Sequence, residues 1–310
     1  MAVRRLAVLL LAALALAPVA RAAPLHTISR YVANADPSRW YDLGCALGNA
    51  VAAGTRPKDA LVILDFGDPA VSGDVYGTHI FDGSFRTTAQ LQAIAQQYGA
   101  GYWVCSPYDS TLRVVLGTTN HGAHVGSAHG AAWARMVNAT NDYFAADCCI
   151  SAQVSALGGI DAELDWNPPS VTIPWADGYD SANAWSYVEF GDAAGCPPAG
   201  SCDGGWSYPD LWTIAWAIPP ALPLPEIYNE RGTNAAQWAN LALWGVTTRG
   251  VKMGFRGSLA QYQACLDRGD PCPGTDITAD EAWTQLRDAL AAHPGTAQTP
   301  RWSTDISWRN

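Results

Sequence analysis

The stretch Ala60-Leu61-Val62-Ile63-Leu64-Asp65-Phe66-Gly67 is an unbroken apolar run that ends in an acid, an aromatic ring and a glycine. A strand with one wet face alternates apolar with polar residues. An unbroken run therefore predicts a strand covered on both faces, as in a parallel sheet flanked by helices. Outward from this strand the predicted elements alternate. Asp36-Pro37 starts a helix to about Ala52, since Asp caps and Pro suits the first turn. Thr87-Thr88 opens a helix with Leu91, Ile94 and Tyr98 at helical spacing, and Leu112 to Asn120 is the next strand. A helix follows from about Ser127 to Asp147, and Gly158 to Trp166 is a third strand. Asn167 to Asp210 is irregular and rich in Pro, Gly and aromatics. Beyond it, Leu211 to Ala217, Leu222 to Tyr228 and Val251 to Phe255 read as strands, and Asn234 to Trp244 and Asp280 to Ala292 as helices. The alternation indicates parallel β/α units. The expected fold is an α/β, TIM-like (β/α) barrel, irregular or with fewer than eight regular units. An open doubly wound sheet is weaker, because no Gly-rich phosphate fingerprint is present.

Residues 1–22 carry Arg4 and Arg5, then an apolar run from Leu6 to Ala20, then the small residues of Ala20-Arg21-Ala22, which is the pattern of a cleaved signal peptide. The run is shorter than the roughly 20 residues a span needs. Residues 23–310 are expected to form a single secreted, extracellular, monomeric barrel domain, with a Cys-containing insertion around 167–210 and no membrane span after cleavage. Of 310 residues, 49% are hydrophobic and 15% charged, which excludes disorder. Removing the three Arg of residues 1–22 leaves 15 Lys plus Arg against 28 Asp plus Glu, near −13. That average field repels nucleic acid and anionic lipid.

Eight Cys in an exported chain are expected to be oxidised. Cys196 and Cys202, and Cys265 and Cys272, each bracket a short loop that local pairing would close. Adjacent Cys148 and Cys149 are expected to reach separately toward Cys45 and Cys105. A zinc site is disfavoured, since no CxxC spacing occurs. Fourteen Trp exceed what a core this size needs. Trp166, Trp175, Trp185, Trp206 and Trp212 are candidates for stacking platforms as well as for core.

The chemistry concentrates in Ile160-Asp161-Ala162-Glu163-Leu164-Asp165-Trp166-Asn167, where apolar residues alternate with three acids. As a strand it would send Asp161, Glu163 and Asp165 to one face, toward the lumen or mouth of a barrel, where burial and like charge raise at least one pKa. A protonated carboxyl beside an ionised one is what glycoside hydrolysis needs. A solvated acidic edge strand and a calcium site are the competing readings. Asp65, Asn120, Trp216, Glu226 and Tyr228 fall at other predicted strand ends and so converge on the same mouth. Glu226 sits between Pro225 and Ile227 in an apolar stretch, where an unpaired charge is expensive. Acids, an amide and aromatic rings without Lys or Arg suit a sugar better than a phosphate. His121, His124 and His129 invite a zinc reading, but their spacing matches no HExxH pair and no acid stands among them. No Gly-x-Ser-x-Gly elbow is present.

Asp65 after a first apolar strand and the Asp161-x-Glu163 pair on a middle strand resemble the acidic layout of Chalaropsis-type muramidases and of related glycoside-hydrolase-like barrels secreted by actinobacteria. Gly159-Ile160-Asp161-Ala162-Glu163-Leu164-Asp165-Trp166-Asn167 and Leu222-Pro223-Leu224-Pro225-Glu226-Ile227-Tyr228 look like phrases from such secreted proteins. Asp165, the Cys-containing insertion and the Pro-rich approach to Glu226 depart from the muramidase pattern. The resemblance implies a bacterial, cell-wall-directed hydrolase with Glu163 as general acid and Asp161 supporting it.

The expected function is hydrolysis of O-glycosyl bonds in a polysaccharide or peptidoglycan, with Glu163, Asp161, Glu226 and Asp65 catalytic. Asp165, Asn120, Trp166, Trp216 and Tyr228 are expected to bind the substrate. No cofactor and no metal are expected. The alternatives are a catalytically silent carbohydrate-binding barrel and a metal-dependent hydrolase using the His121 region.

Overall fold

The computed structural model describes residues 23–310 except 147–148, 197–201, 220, 270 and 310. The proposed signal peptide and Cys148 therefore lie outside the described residues.

Hydrophobic runs covered on both faces build the frame. In chain order the elements are β1 (Leu25–Tyr31), α1 (Pro37–Ala52), β2 (Asp59–Asp65), β3 (Asp68–Ser72), β4 (Val75–His79), β5 (Phe85–Thr87), α2 (Thr88–Cys105), β6 (Thr111–Thr119) and α3 (Ser127–Ala146). They continue with β7 (Val154–Asp161), α4 (Pro169–Ala182), β8 (Tyr187–Glu189), α5 (Tyr208–Trp212), β9 (Ala221–Pro223), α6 (Thr233–Trp244), β10 (Gly257–Ala260), α7 (Tyr262–Arg268), α8 (Ala279–Ala291) and β11 (Trp302–Ser307). Eight strands lie in the order β10-β11-β1-β2-β6-β7-β8-β9, every pair parallel. The ring is nearly closed. Past β9 the pairing reduces to one bridge, Glu226 opposite Leu259, with Ile227 N donating to Leu259 O (2.8 Å) and Leu259 N to Pro225 O (2.9 Å). The protein is thus a TIM-like barrel. Strands β3, β4 and β5 form a separate antiparallel sheet between β2 and α2.

The run on β2 shows why no alternation is visible. Ala60, Val62 and Leu64 pack into the layer between strands and helices, while Leu61 and Ile63 fill the lumen with Val115, Leu157, Val188, Phe190, Leu224 and Leu259. Asp65 continues the Leu61, Ile63 register and so faces inward at the C-terminal end. Gly117 and Gly159 make room for the Phe190 ring, since a Cβ on either would lie 2.8 or 3.0 Å from it. Phe190 thereby plugs the middle of the lumen beneath the mouth.

Helix starts follow their capping signals. Asp36 accepts from Ser38 N (3.0 Å) ahead of Pro37. Thr87 with Gln90, and Thr278 with Glu281, form capping boxes.

Several sequence expectations are corrected. The expected strand over 158–166 stops at Asp161, and Leu164 to Trp166 form a turn. Leu211 to Ala217 is helical, because Ser207 and Asp210 form a capping box around Pro209 and start α5. Of the expected 222–228 strand only Leu222 and Pro223 pair regularly, at the end of β9, as Pro223 and Pro225 have no N–H to give a ladder. Val251 to Phe255 is irregular and the true strand is the adjacent β10. The supposed insertion over 167–210 contains α4 and β8, a barrel unit whose three-residue strand is too short to show a pattern. Cys45 and Cys105 bond to each other, tying α1 to α2, rather than reaching Cys148 and Cys149; Cys196–Cys202 and Cys265–Cys272 close their loops as expected. Among the described residues no helix is long and apolar enough to cross a membrane.

Candidate active site

The C-terminal ends of the barrel strands carry the acids. Asp65 closes β2, Asp161 closes β7, Glu163 follows two residues on, Glu189 closes β8 with Asp192 just beyond, and Glu226 lies on the extension of β9. Strand ends lie at the rim of the lumen, so residues distant in sequence meet there. One oxygen each of Asp161, Glu163 and Glu226 lie within 4.8 Å of one another.

A cavity of about 500 Å³ opens over this cluster, lined by the acids Asp65, Asp68, Asp161 and Glu163 and by the aromatic residues Tyr31, Phe81, Trp166, Tyr228 and Trp308. Tyr31 and Trp308 stack at 4.3 Å, and Phe81 meets Trp308 edge-on at 5.2 Å. These flat, semi-polar walls suit the apolar face of a sugar ring. Arg268, over the Trp308 ring at 4.3 Å, is the one Lys or Arg among the described lining residues.

Glu163 stands in a loop yet is held firmly. Asn120 Oδ1 accepts from Glu163 N (3.1 Å), and Asn120 Nδ2 donates to Glu163 O (3.0 Å) and to Thr172 Oγ1 (3.2 Å). Asn167 Nδ2 in turn donates to Asn120 O (2.6 Å). Leu164 N donates to Asp192 Oδ1 (3.3 Å), fixing the far side of the loop. The Glu163 carboxyl hydrogen-bonds those of Glu226 and Asp192. Behind it, Glu226 Oε1 accepts from Gln261 Nε2 (2.7 Å).

Burial sets the protonation pattern. It pushes Glu163 up to about 8, with the Asp192 charge adding to it and the Glu226 hydrogen bond opposing. Asp65 is pushed up to about 7, again by burial, against the pull of the Gly67 N–H. Burial raises Asp161 and Glu226 further, and both are also raised by Glu163. Asp65 Oδ2, Asp161 Oδ1 and Glu226 Oε2 are buried without a hydrogen-bond partner. Among the described residues no Lys or Arg pairs with the cluster, so burial and like charge favour its protonated forms and couple their titration.

Of the residues expected in the site, Asp161, Glu163, Asp65, Trp166 and Tyr228 line the cavity. Glu226 touches Glu163 from beneath and is buried. Asn120 is buried and positions the Glu163 backbone. Asp165 is not on the inward face expected of it, because the chain turns after Asp161 and leaves it exposed. Trp216 lies on a helical turn, half-buried against Gly254, and is not among the cavity's lining residues. Of the candidate platforms, Trp175, Trp206 and Trp212 are core, and Trp185 is not among the lining residues. The three histidines do not converge. His129 is buried with both ring nitrogens engaged, by Gly77 O (3.0 Å) and Trp175 Nε1 (3.0 Å), and His121 Nδ1 pairs with Asp68 (2.9 Å).

Sequence reasoning missed Tyr31, Phe81, Trp308, Glu189 and Asp192. A signal existed for the two acids: Glu189-Phe190-Gly191-Asp192 echoes Asp65-Phe66-Gly67-Asp68. In both, the first carboxyl accepts from the glycine N–H at 3.0 Å as the chain leaves its strand.

No family model and no curated protein matches the chain. Among solved structures it is similar to a homocysteine methyltransferase from Escherichia coli, with 10% identity over 94% of this chain and 92% of that one and a TM-score of 0.49. It is also similar to a protein described as chitinase A from Streptomyces coelicolor, with 12% identity, 92% and 91% covered and a TM-score of 0.47. For a plant β-glucan endohydrolase the figures are 14%, 91% and 90%, and 0.39. With these scores below 0.5 and the proteins named for different reactions, nothing about this chain's chemistry follows from these likenesses.

Proposed function

We propose that the protein is a secreted glycoside hydrolase acting on a polysaccharide or peptidoglycan at the C-terminal mouth of its barrel. The observation that carries this reading is the meeting of the Asp161, Glu163 and Glu226 carboxyl oxygens within 4.8 Å under an aromatic-walled cavity. Glu163, the half-buried member that reaches the cavity, keeps its proton at neutral pH and donates it to the leaving glycosidic oxygen. Asp161, also on the cavity, faces the developing positive charge on the sugar and shares the cluster's protons. Glu226 holds Glu163 from beneath, and Asp65 supplies a further carboxyl at the rim. As the protonated leaving oxygen departs, a water adds to the anomeric carbon and gives its proton back to the cluster, so the broken glycosidic bond is replaced by a C–O bond to water. Tyr31 and Trp166 face the sugar, and Trp308, held between Tyr31 and Arg268, backs that wall. The muramidase resemblance favours an N-acetylated cell-wall glycan, and three disulfides fit an oxidising exterior.

The test is reducing-sugar release from peptidoglycan and neutral polysaccharides by the protein and by Glu163→Gln. Release that collapses in the variant supports the assignment. Retention of a glycan by both proteins with release by neither would replace it with a silent carbohydrate-binding barrel. A second reading rests on the same three oxygens, which also suit a divalent cation. Under it, calcium or magnesium raises the melting temperature, and Glu163→Gln abolishes the shift.

A further inference from the structure

A second cavity, of about 480 Å³, lies at the opposite, N-terminal end of the barrel. Its inner surface is apolar, made by Leu61, Leu157, Val188, Leu222 and Phe255, all but Leu222 buried. Its rim carries Arg113, Arg256 and Arg301 around the Trp302 indole, with no acid among the described lining residues. Arg113 and Arg301 lie over the Trp302 ring at 5.0 and 5.5 Å, and both pair with one carboxylate, Asp59. Three guanidinium groups therefore face a single negative charge, on a chain whose formal charge is −10. The side chain of Arg256 takes part in no ion pair among the described residues. Its backbone O accepts from Arg301 N (2.9 Å) and Trp302 N (3.0 Å), which pins its Cα at the cavity edge.

Excess positive charge around an apolar pocket selects a ligand of matching build. We infer that this cavity is a binding site for a small amphipathic carboxylate, its chain among Leu61, Leu157, Val188, Leu222 and Phe255 and its carboxylate on Arg256 and the outer face of Arg301. A guanidinium presents two parallel N–H donors that fit a carboxylate, and the apolar floor discriminates against bare inorganic anions. The site is separated from the acidic mouth by the Phe190 layer and does not depend on the hydrolase reading.

The test is calorimetric titration of the full protein with acetate, hexanoate and octanoate, and with inorganic phosphate as the charge-only control. Octanoate is expected to bind at least 30-fold more tightly than acetate or phosphate. Arg256→Gln, which breaks no ion pair, is expected to weaken octanoate at least tenfold with the melting temperature unchanged. Equal affinity for phosphate and octanoate, affinity that does not rise with chain length, or octanoate binding untouched by Arg256→Gln would each overturn the inference. So would the absence of octanoate binding up to millimolar concentration.

Discussion

Asp59 and Asp65 stand at the two ends of one strand and live in opposite electrostatic worlds. Asp59, at the N-terminal end of β2, receives Arg113 and Arg301. Asp65, at the C-terminal end, receives one backbone N–H from Gly67 and leaves its other oxygen without a partner. Among the described residues Asp161, Glu163 and Glu226 at that upper end likewise pair with no Lys or Arg, while at the lower cavity Arg113, Arg256 and Arg301 stand around the single carboxylate of Asp59. A fold under no other demand would have mixed them, because a buried uncompensated carboxyl costs stability. The lower aspartate is tied into the frame by two arginines, and the upper one is held without a counter-ion.

The comparison is broken most severely at Glu163. Glu163→Gln should lower glycan hydrolysis about 10²–10⁴-fold, the usual worth of a general acid, measured as reducing-sugar release. The folded protein should lose nothing by it.

The two aspartates then give opposite signs for one chemical change. Asp59→Asn strips the counter-ion from two arginines and should destabilise the protein by about 1–3 kcal/mol in urea unfolding. Asp65→Asn keeps the Gly67 hydrogen bond through its amide oxygen and removes a costly ionisation. It should leave stability unchanged near pH 3 and raise it increasingly above about pH 4, most at pH 8. Equal losses in the two variants would erase the distinction.

The pH dependence follows from raised pKa values. Asp65 goes from 3.8 to about 7, and Glu163 from 4.5 to about 8. Between those limits the folded chain holds protons that the unfolded chain has released. Stability therefore falls as pH rises from about 4 through about 8. Thermal melts should show this decline, and Glu163→Gln should make it shallower, by a few degrees at pH 8. Hydrolysis should fall on the alkaline side near pH 8, as Glu163 loses its proton.

The smallest effect is expected at Asp165. Because it is exposed beyond the turn, Asp165→Asn should change stability by less than about 0.5 kcal/mol and activity by less than twofold.

The barrel was legible because a strand covered on both faces is a long apolar run, and β2, β6 and the helices α1, α2, α3, α6 and α8 each carry such a run or a cap. Strands of three or four residues, β8, β9 and β10, contain too few positions for a period. The acids were legible for the same reason they are costly: Asp161, Glu163 and Glu226 stand inside apolar sequence. The aromatic wall was not legible. Tyr31, Phe81 and Trp308 come from three distant segments, and only closure of the ring brings them together. Asp165 was misplaced because an alternating pattern says nothing about where a strand ends.

The seam where β11 meets β1 runs from Leu25 opposite Trp302 to Arg30 opposite Ser307. Tyr31 and Trp308, which stack on each other in the cavity wall, stand just beyond it. A ribosome makes Tyr31 277 residues before Trp308 (308 − 31), so at about 5–20 residues per second the two halves of that wall are made about 14–55 s apart. During that interval the acids have no roof and the first strand has an open edge. Until the final strand docks, the growing chain has no complete pocket, and a nascent chain stopped short of Trp302 would have no closed barrel.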